Sequence, residues 1–146
     1  SDDFLVNLDG KKVNEIPSII TDLTSSYRIK NFLIFINCRY TGKYWYNKKS
    51  YARAINFFDK VLQVDGRVVD AYLLKGRSYH QQGEFEDAMV NYNRAIDFDR
   101  QNEEAFLYRG ALKVALNQKR GACSDLQRAK GLGSKDADAA IAKHCK

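Results

Sequence analysis

Two cysteines near the end of the chain, Cys123 and Cys145, carry the sharpest chemistry in the sequence, and His144 stands beside the second. A thiol can join a disulfide, bind a metal or attack an electrophile, and each role asks for different neighbours. A metal centre needs further ligands at recognisable spacing. The chain has no CxxC pair and His80 is its only other histidine, so no metal is expected. No nucleophile motif, glycine-rich phosphate loop or HExxH string is present either, and the expectation is no catalytic residue, no cofactor and no enzymatic activity. His80 reads as a groove or surface residue. What remains for the two thiols is a disulfide or a reduced pair, and the choice depends on the elements that carry them.

The bulk composition limits those elements. At 146 residues the chain fits one domain. Its longest purely apolar run, Phe32 to Ile36, is far short of the roughly 20 residues of a membrane helix, which predicts a soluble chain. No signal peptide is visible, and with no starting Met this says nothing about export. One proline and nine glycines leave no room for a long low-complexity linker.

The organising feature is an internal repeat with a fixed period of about 34 residues, which decides the architecture. Gly42, Gly76 and Gly110 coincide at that offset, as do Ala54, Ala88 and Ala122. Large residues recur as Phe58, Tyr92 and Leu126, smaller ones as Val61, Ala95 and Ala129, and turns as Val64-Asp65, Phe98-Asp99 and Leu132-Gly133. Within a unit, Ala88, Tyr92, Ala95 and Ile96 make one stripe of a helix, and Tyr72, Lys75, Gly76 and Tyr79 make another before a break near Gly83. Each unit is therefore expected to be two antiparallel helices joined by a short turn. A glycine inside a helix costs about 1 kcal/mol relative to alanine; Gly76 and Ala88 are placed where the paired helices approach most closely.

The segments "LLKGRSYHQQGEFEDAMVNYNRAI", "CRYTGKYWYNKKSYARAINFFDKVL" and "FLYRGALKVALNQKRGACSDLQRAK" resemble tetratricopeptide (TPR) repeats. The resemblance covers residues 35–136 as three repeats, 35–68, 69–102 and 103–136. It implies an all-α fold, a right-handed α-solenoid of three helix hairpins closed by a C-terminal capping helix over 135–145. Two departures stand out. Gly66, Arg100 and Ser134 occupy the place of the proline that often closes such repeats, and Lys113 and Lys119 replace the aromatics of the earlier copies. Terminal repeats are commonly atypical because one face meets solvent or a cap.

At the ends of the array, Ser134 is the expected N-cap of the last helix, with Asp136 and Asp138 in its first turn and Ala137, Ala140 and Ile141 as its apolar stripe. Residues 1–34 form a separate N-terminal segment. Asp9-Gly10 signals a short hairpin there, and a helix from about Pro17 to Ser26 supplies a degenerate leading element. Cys38 shares its repeat position with Tyr72 and Phe106 and reads as a buried thiol.

The remaining thiols can now be placed. Cys123 lies near the start of one helix and Cys145 near the end of the next, equally far in sequence from Ser134 at the turn. Equal distances put the two side chains at one height, so a disulfide is possible provided both face the interface. The alternative is two reduced, half-buried thiols. The closing segment also resembles that of exported bacterial TPR-like proteins. Together these lean to the bridged pair and to an exported or periplasmic setting over a cytoplasmic one.

A partner is expected on the concave face, lined by the first helix of each pair. Its stripe is Ile36, Arg39, Lys43, Tyr46 and Asn47 in the first repeat, Asp70, Leu73, Arg77, His80 and Gln81 in the second, and Glu104, Leu107, Ala111, Val114 and Ala115 in the third, with Tyr40, Leu74 and Tyr108 at its edge. The expected function is a non-enzymatic scaffold that holds a protein or peptide, acidic groups pairing with Arg39, Lys43 and Arg77 and apolar ones resting on Leu73, Leu107 and Val114. TPR proteins that grip acidic chaperone tails use a set of basic and Asn side chains. Here Arg39 stands for a lysine, Lys43 and Leu74 for asparagines, Glu104 for a lysine and Tyr108 for an arginine, so that mode of binding is not expected. The alternative reading is a basic and aromatic nucleic-acid-binding surface on residues 28–60, which hold eight Lys/Arg against one Asp. Repeat packing already accounts for Trp45 and Tyr51, which makes nucleic acid the weaker expectation, behind an acidic protein or membrane surface.

Overall fold

The computed structural model describes Tyr46 and residues 49–146. The expectations for residues 1–34, Cys38, Gly42 and most of the first helix of the leading repeat lie outside the described residues. The described part is all helical: α1 (Tyr51–Val64), α2 (Val69–Gln82), α3 (Phe85–Phe98), α4 (Glu103–Ala115), α5 (Lys119–Gly131) and α6 (Asp136–His144). α2 pairs with α3 and α4 with α5, α1 packs on α2, and α6 packs on α5 and α4. This is an α-solenoid of helical hairpins with a terminal cap.

The turns repeat as faithfully as the helices. Lys49, Gly83 and Asn117, each one repeat from the next, all adopt a left-handed backbone with φ of 55°, 82° and 57°. Each donates its N–H to the carbonyl three residues back, Tyr46, His80 and Val114. Glu84 and Gln118 then reach back to the Tyr79 and Lys113 carbonyls, which occupies the free acceptors at the helix end. Between repeats, Asp65 accepts the Arg67 N–H and Asp99 accepts the Gln101 N–H, both at 2.9 Å. α4 has a side-chain cap: the Asn102 carboxamide oxygen accepts the Ala105 N–H at 2.9 Å.

The core is the predicted small-and-large stripe. Ala54, Phe58, Ala88, Tyr92, Ala95, Ala122, Leu126 and Ala129 are fully buried. A β-carbon added at Gly76 would lie 2.8 Å from the Tyr92 ring and 3.2 Å from Asn91 Cβ, and one at Gly110 would lie 3.0 Å from Leu126. A methyl at Gly76 would force the Tyr92 ring of the partner helix to shift, and one at Gly110 would require Leu126 to give way by a few tenths of an ångström.

Lys113 and Lys119 depart from the repeat for visible reasons. Asp125, only 5% exposed, accepts from Arg109 Nε and Nη2 at 2.8 and 2.7 Å and from Lys113 Nζ at 2.8 Å. An ionic cluster thus fills the place that an aromatic ring holds in the second repeat. Burial pushes the Asp125 carboxyl up, but the hydrogen bonds and charges of Arg109 and Lys113 outweigh burial and leave it below the usual carboxylate value. Lys119 Nζ donates to the Lys146 backbone carbonyl, tying the start of α5 to the segment after α6.

The cap helix differs in one detail from expectation. It starts after Lys135, whose side chain makes no cap bond, and not after Ser134. The Ser134 N–H is used to close α5, donating to the Ala129 carbonyl at 3.0 Å. Asp136 and Asp138 do occupy the first turn, and Ala137 is the one fully buried residue of α6.

Candidate functional site

The site is built from the first helices of successive hairpins. α2 and α4 lie side by side, so residues on their outer stripes approach diagonally. Leu73 is a correction to the predicted groove: at 2% exposure it belongs to the core cluster that also holds Tyr92 of α3 and Leu112 of α4. Leu74 is likewise buried. Arg77, His80, Leu107, Tyr108 and Val114 are partly exposed, and Gln81, Glu104, Ala111 and Ala115 are exposed. Arg39, Lys43 and Asn47 lie outside the described residues.

At the centre, the Arg77 guanidinium carbon lies 4.7 Å from the centroid of the Tyr46 ring and 4.3 Å from that of Tyr108. One guanidinium therefore bridges three successive repeats through cation–π contacts. Tyr108 also stacks on Tyr92, centroids 6.4 Å apart at 22°, and the Tyr92 hydroxyl lies 3.4 Å from His80 Nδ1. His80 meets the edges of Phe85 and Tyr92. Burial lowers its imidazole below the ordinary value, so the neutral ring is favoured. Burial raises the Tyr108 phenol; Arg77 opposes this, and Glu104, Tyr46 and Asp136 add to it.

Sequence reasoning assigns Tyr46, Arg77 and Tyr108 to the groove separately and misses that they touch. A signal exists: the step in sequence from Tyr46 to Arg77 equals that from Arg77 to Tyr108. Each step is one repeat less about one helical turn, the offset expected of a diagonal across parallel neighbouring helices.

A second feature closes the far end. Cys123 on α5 and Cys145 after α6 are disulfide-bonded, with Cα atoms 5.6 Å apart. Among the described residues no group of His, Cys, Asp and Glu side chains is arranged to hold a metal ion, and no helix is long and apolar enough to cross a membrane.

Known proteins extend this picture. Residues 76–117 match the family model described as TPR repeat. Tetratricopeptide repeat protein 1 of Schizosaccharomyces pombe is 38% identical over 56 residues, 36% of this chain, and the match spans 5% of that protein's length. The second TPR domain of human RPAP3, solved with the HSP70 peptide SGPTIEEVD, superposes with a TM-score of 0.70 at 23% identity, covering 79% of this chain and 98% of that one. The Arabidopsis OM64 TPR domain gives a TM-score of 0.71 at 22% identity, covering 75% and 93%. At these identities the structures establish the fold alone. The bacterial character expected from the closing segment is not supported by these matches. The family match makes residues 76–117 a tetratricopeptide repeat, and the regular repeat spacing and helical hairpins extend the same fold through the other described residues.

Proposed function

We propose that this domain is a non-catalytic scaffold that holds an extended segment of a partner protein against the concave face of α2 and α4. The observation that carries the reading is the Tyr46–Arg77–Tyr108 bridge. It ties Tyr46 of the leading repeat to α2 and α4 and so favours a preorganised surface, which lowers the cost of binding. Apolar footing beside it comes from the partly exposed Leu107 and Val114 and the exposed Ala111 of α4.

Similar domains offer support by analogy of fold. Human RPAP3 was solved with an HSP70 peptide, and the first TPR domain of Spaghetti (RPAP3) with the HSP90 peptide SRMEEVD. The resemblance puts Leu74, Glu104 and Tyr108 where grip on such tails would require asparagine, lysine and arginine. Leu74 is buried and Glu104 is an exposed acid, so a different ligand chemistry is expected here.

The test is a pull-down comparing the wild type with an Arg39→Glu/Arg77→Glu variant whose helicity is checked by circular dichroism. Loss of the captured partners supports the groove. Unchanged capture by a folded variant rejects it.

A further inference from the structure

The described residues contain four partly buried cations: Lys75, Arg77, Arg109 and Lys113. Three have carboxylate partners. Lys75 pairs with Asp59, and Arg109 and Lys113 share Asp125. Arg77 is the exception. Its contacts are the two tyrosine rings, and among the described residues no carboxylate or carbonyl accepts from it. Rings satisfy a guanidinium through its face, whereas its five N–H donors point outward in its plane. Among the described residues nothing accepts from its in-plane donors, so they are available to a ligand acceptor, and a charge-assisted bond at a half-buried site is stronger than one in open water.

The surroundings restrict what that acceptor can be. Glu104 lies one helical turn before Tyr108, and Asp136 opens α6; both act electrostatically on the Tyr108 hydroxyl. A run of carboxylates extending from Arg77 toward α6 would meet these two acids. On the same stretch of α4, Leu107 and Val114 are partly exposed and Ala111 is exposed, a footing for aliphatic side chains.

Resting on the groove reading above, we infer that Arg77 anchors a single, isolated carboxylate side chain of the bound segment, next to an aliphatic residue seated on Leu107, Ala111 and Val114. The partner is thus a peptide segment with one Asp or Glu flanked by a branched apolar residue. Neither a polyacidic tail nor a free C-terminal carboxylate is required. Tyr46 and Tyr108 hold the guanidinium in place before binding, so few side-chain rotamers are lost when the bidentate bond forms.

The experiment is an array of acetylated, amidated nonapeptides in a Ser/Ala frame. Each carries one Glu or one Gln together with a Leu, the separation varied from adjacent to one helical turn in either direction, and a parallel set carries three consecutive Glu. Binding of the wild type, Arg77→Gln, Arg77→Lys, Glu104→Gln and Ala111→Arg is measured by fluorescence anisotropy, with thermal melts to confirm folding. The expected result is that one Glu–Leu spacing binds best and its Gln counterpart binds about tenfold more weakly, the size of one charge-assisted hydrogen bond. Arg77→Gln removes that preference, and any weakening from loss of the bridge falls equally on the Glu and Gln peptides. Arg77→Lys retains part of it, and Glu104→Gln improves the triple-Glu set. Equal affinity for Glu and Gln peptides on the wild type, or tightest binding of the triple-Glu set, overturns the inference. If both peptides bind equally and Ala111→Arg abolishes both, the groove stands while the carboxylate anchor falls; if no peptide binds, both fall.

Discussion

The Arg77 guanidinium carbon lies 4.3 Å from the centre of the Tyr108 ring, across the boundary between two repeats. With Tyr46 at 4.7 Å on the other side, this contact belongs to the packing of the solenoid as well as to its binding face. Arg77→Ala should therefore cost stability even without a partner. Two partly desolvated cation–π contacts are together worth about 1–2 kcal/mol. Urea unfolding of Arg77→Ala should show a loss of that size, and Arg77→Lys a smaller one. A loss too small to resolve would show that the rings do not hold the cation.

Glycine positions give a test with opposite signs. In Gly76→Ala the new methyl meets the Tyr92 ring at 2.8 Å, and that ring is fully buried. Overpacking costs about 1–3 kcal/mol, against up to about 1 kcal/mol of gained helix propensity, so a net loss is expected. Gly131→Ala meets nothing within 4 Å and should be neutral or stabilising. Paired denaturation curves for the two variants check the contrast.

The Asp125 cluster makes stability depend on acid. Its folded-state carboxyl lies below the ordinary value, so its contribution is complete above the unfolded value of about 4 and is lost as pH falls through the folded one. Melting temperature followed from pH 5 to pH 2 should fall for the wild type more steeply than for Asp125→Asn. The Asp125→Asn variant itself should be less stable at pH 7 by about 3–5 kcal/mol, since Arg109 and Lys113 lose their buried partner.

The Cys123–Cys145 bond spans 22 positions in sequence. Closing a loop of that size stabilises by about 3 kcal/mol on the chain-entropy account. Reduction, or Cys145→Ser, should speed amide exchange across α6 and the end of α5 while leaving α2 and α3 nearly unchanged. Uniform acceleration through all the helices would show that the bond supports the whole array and not the cap alone.

Much of this architecture is legible in the sequence because each repeat obeys one set of packing constraints. Gly76, Ala88 and Tyr92 recur at fixed places, and their roles follow from size alone. Two left-handed turn residues hide better: Lys49 and Asn117 share the backbone of Gly83, but neither has glycine's signature. Leu73 is misplaced because helical periodicity shows which face a residue occupies, not how deeply the packing of neighbouring helices buries it. Asp125 escapes notice for a related reason. A carboxylate on a core-facing stripe reads as an exception until Arg109 and Lys113 are seen around it. The Arg77 bridge depends on a diagonal between repeats, and a search for identical offsets does not sample diagonals.

The central claim is that partners bind the face of α2 and α4. Ala111 is exposed on that face, and Val90 is 57% exposed on α3, a second helix of its hairpin. Placing a photo-crosslinking amino acid at each position in turn tests the claim most directly. Cross-linked partner at position 111 and none at position 90 is the predicted result. Cross-linking at position 90 with none at position 111 would contradict it.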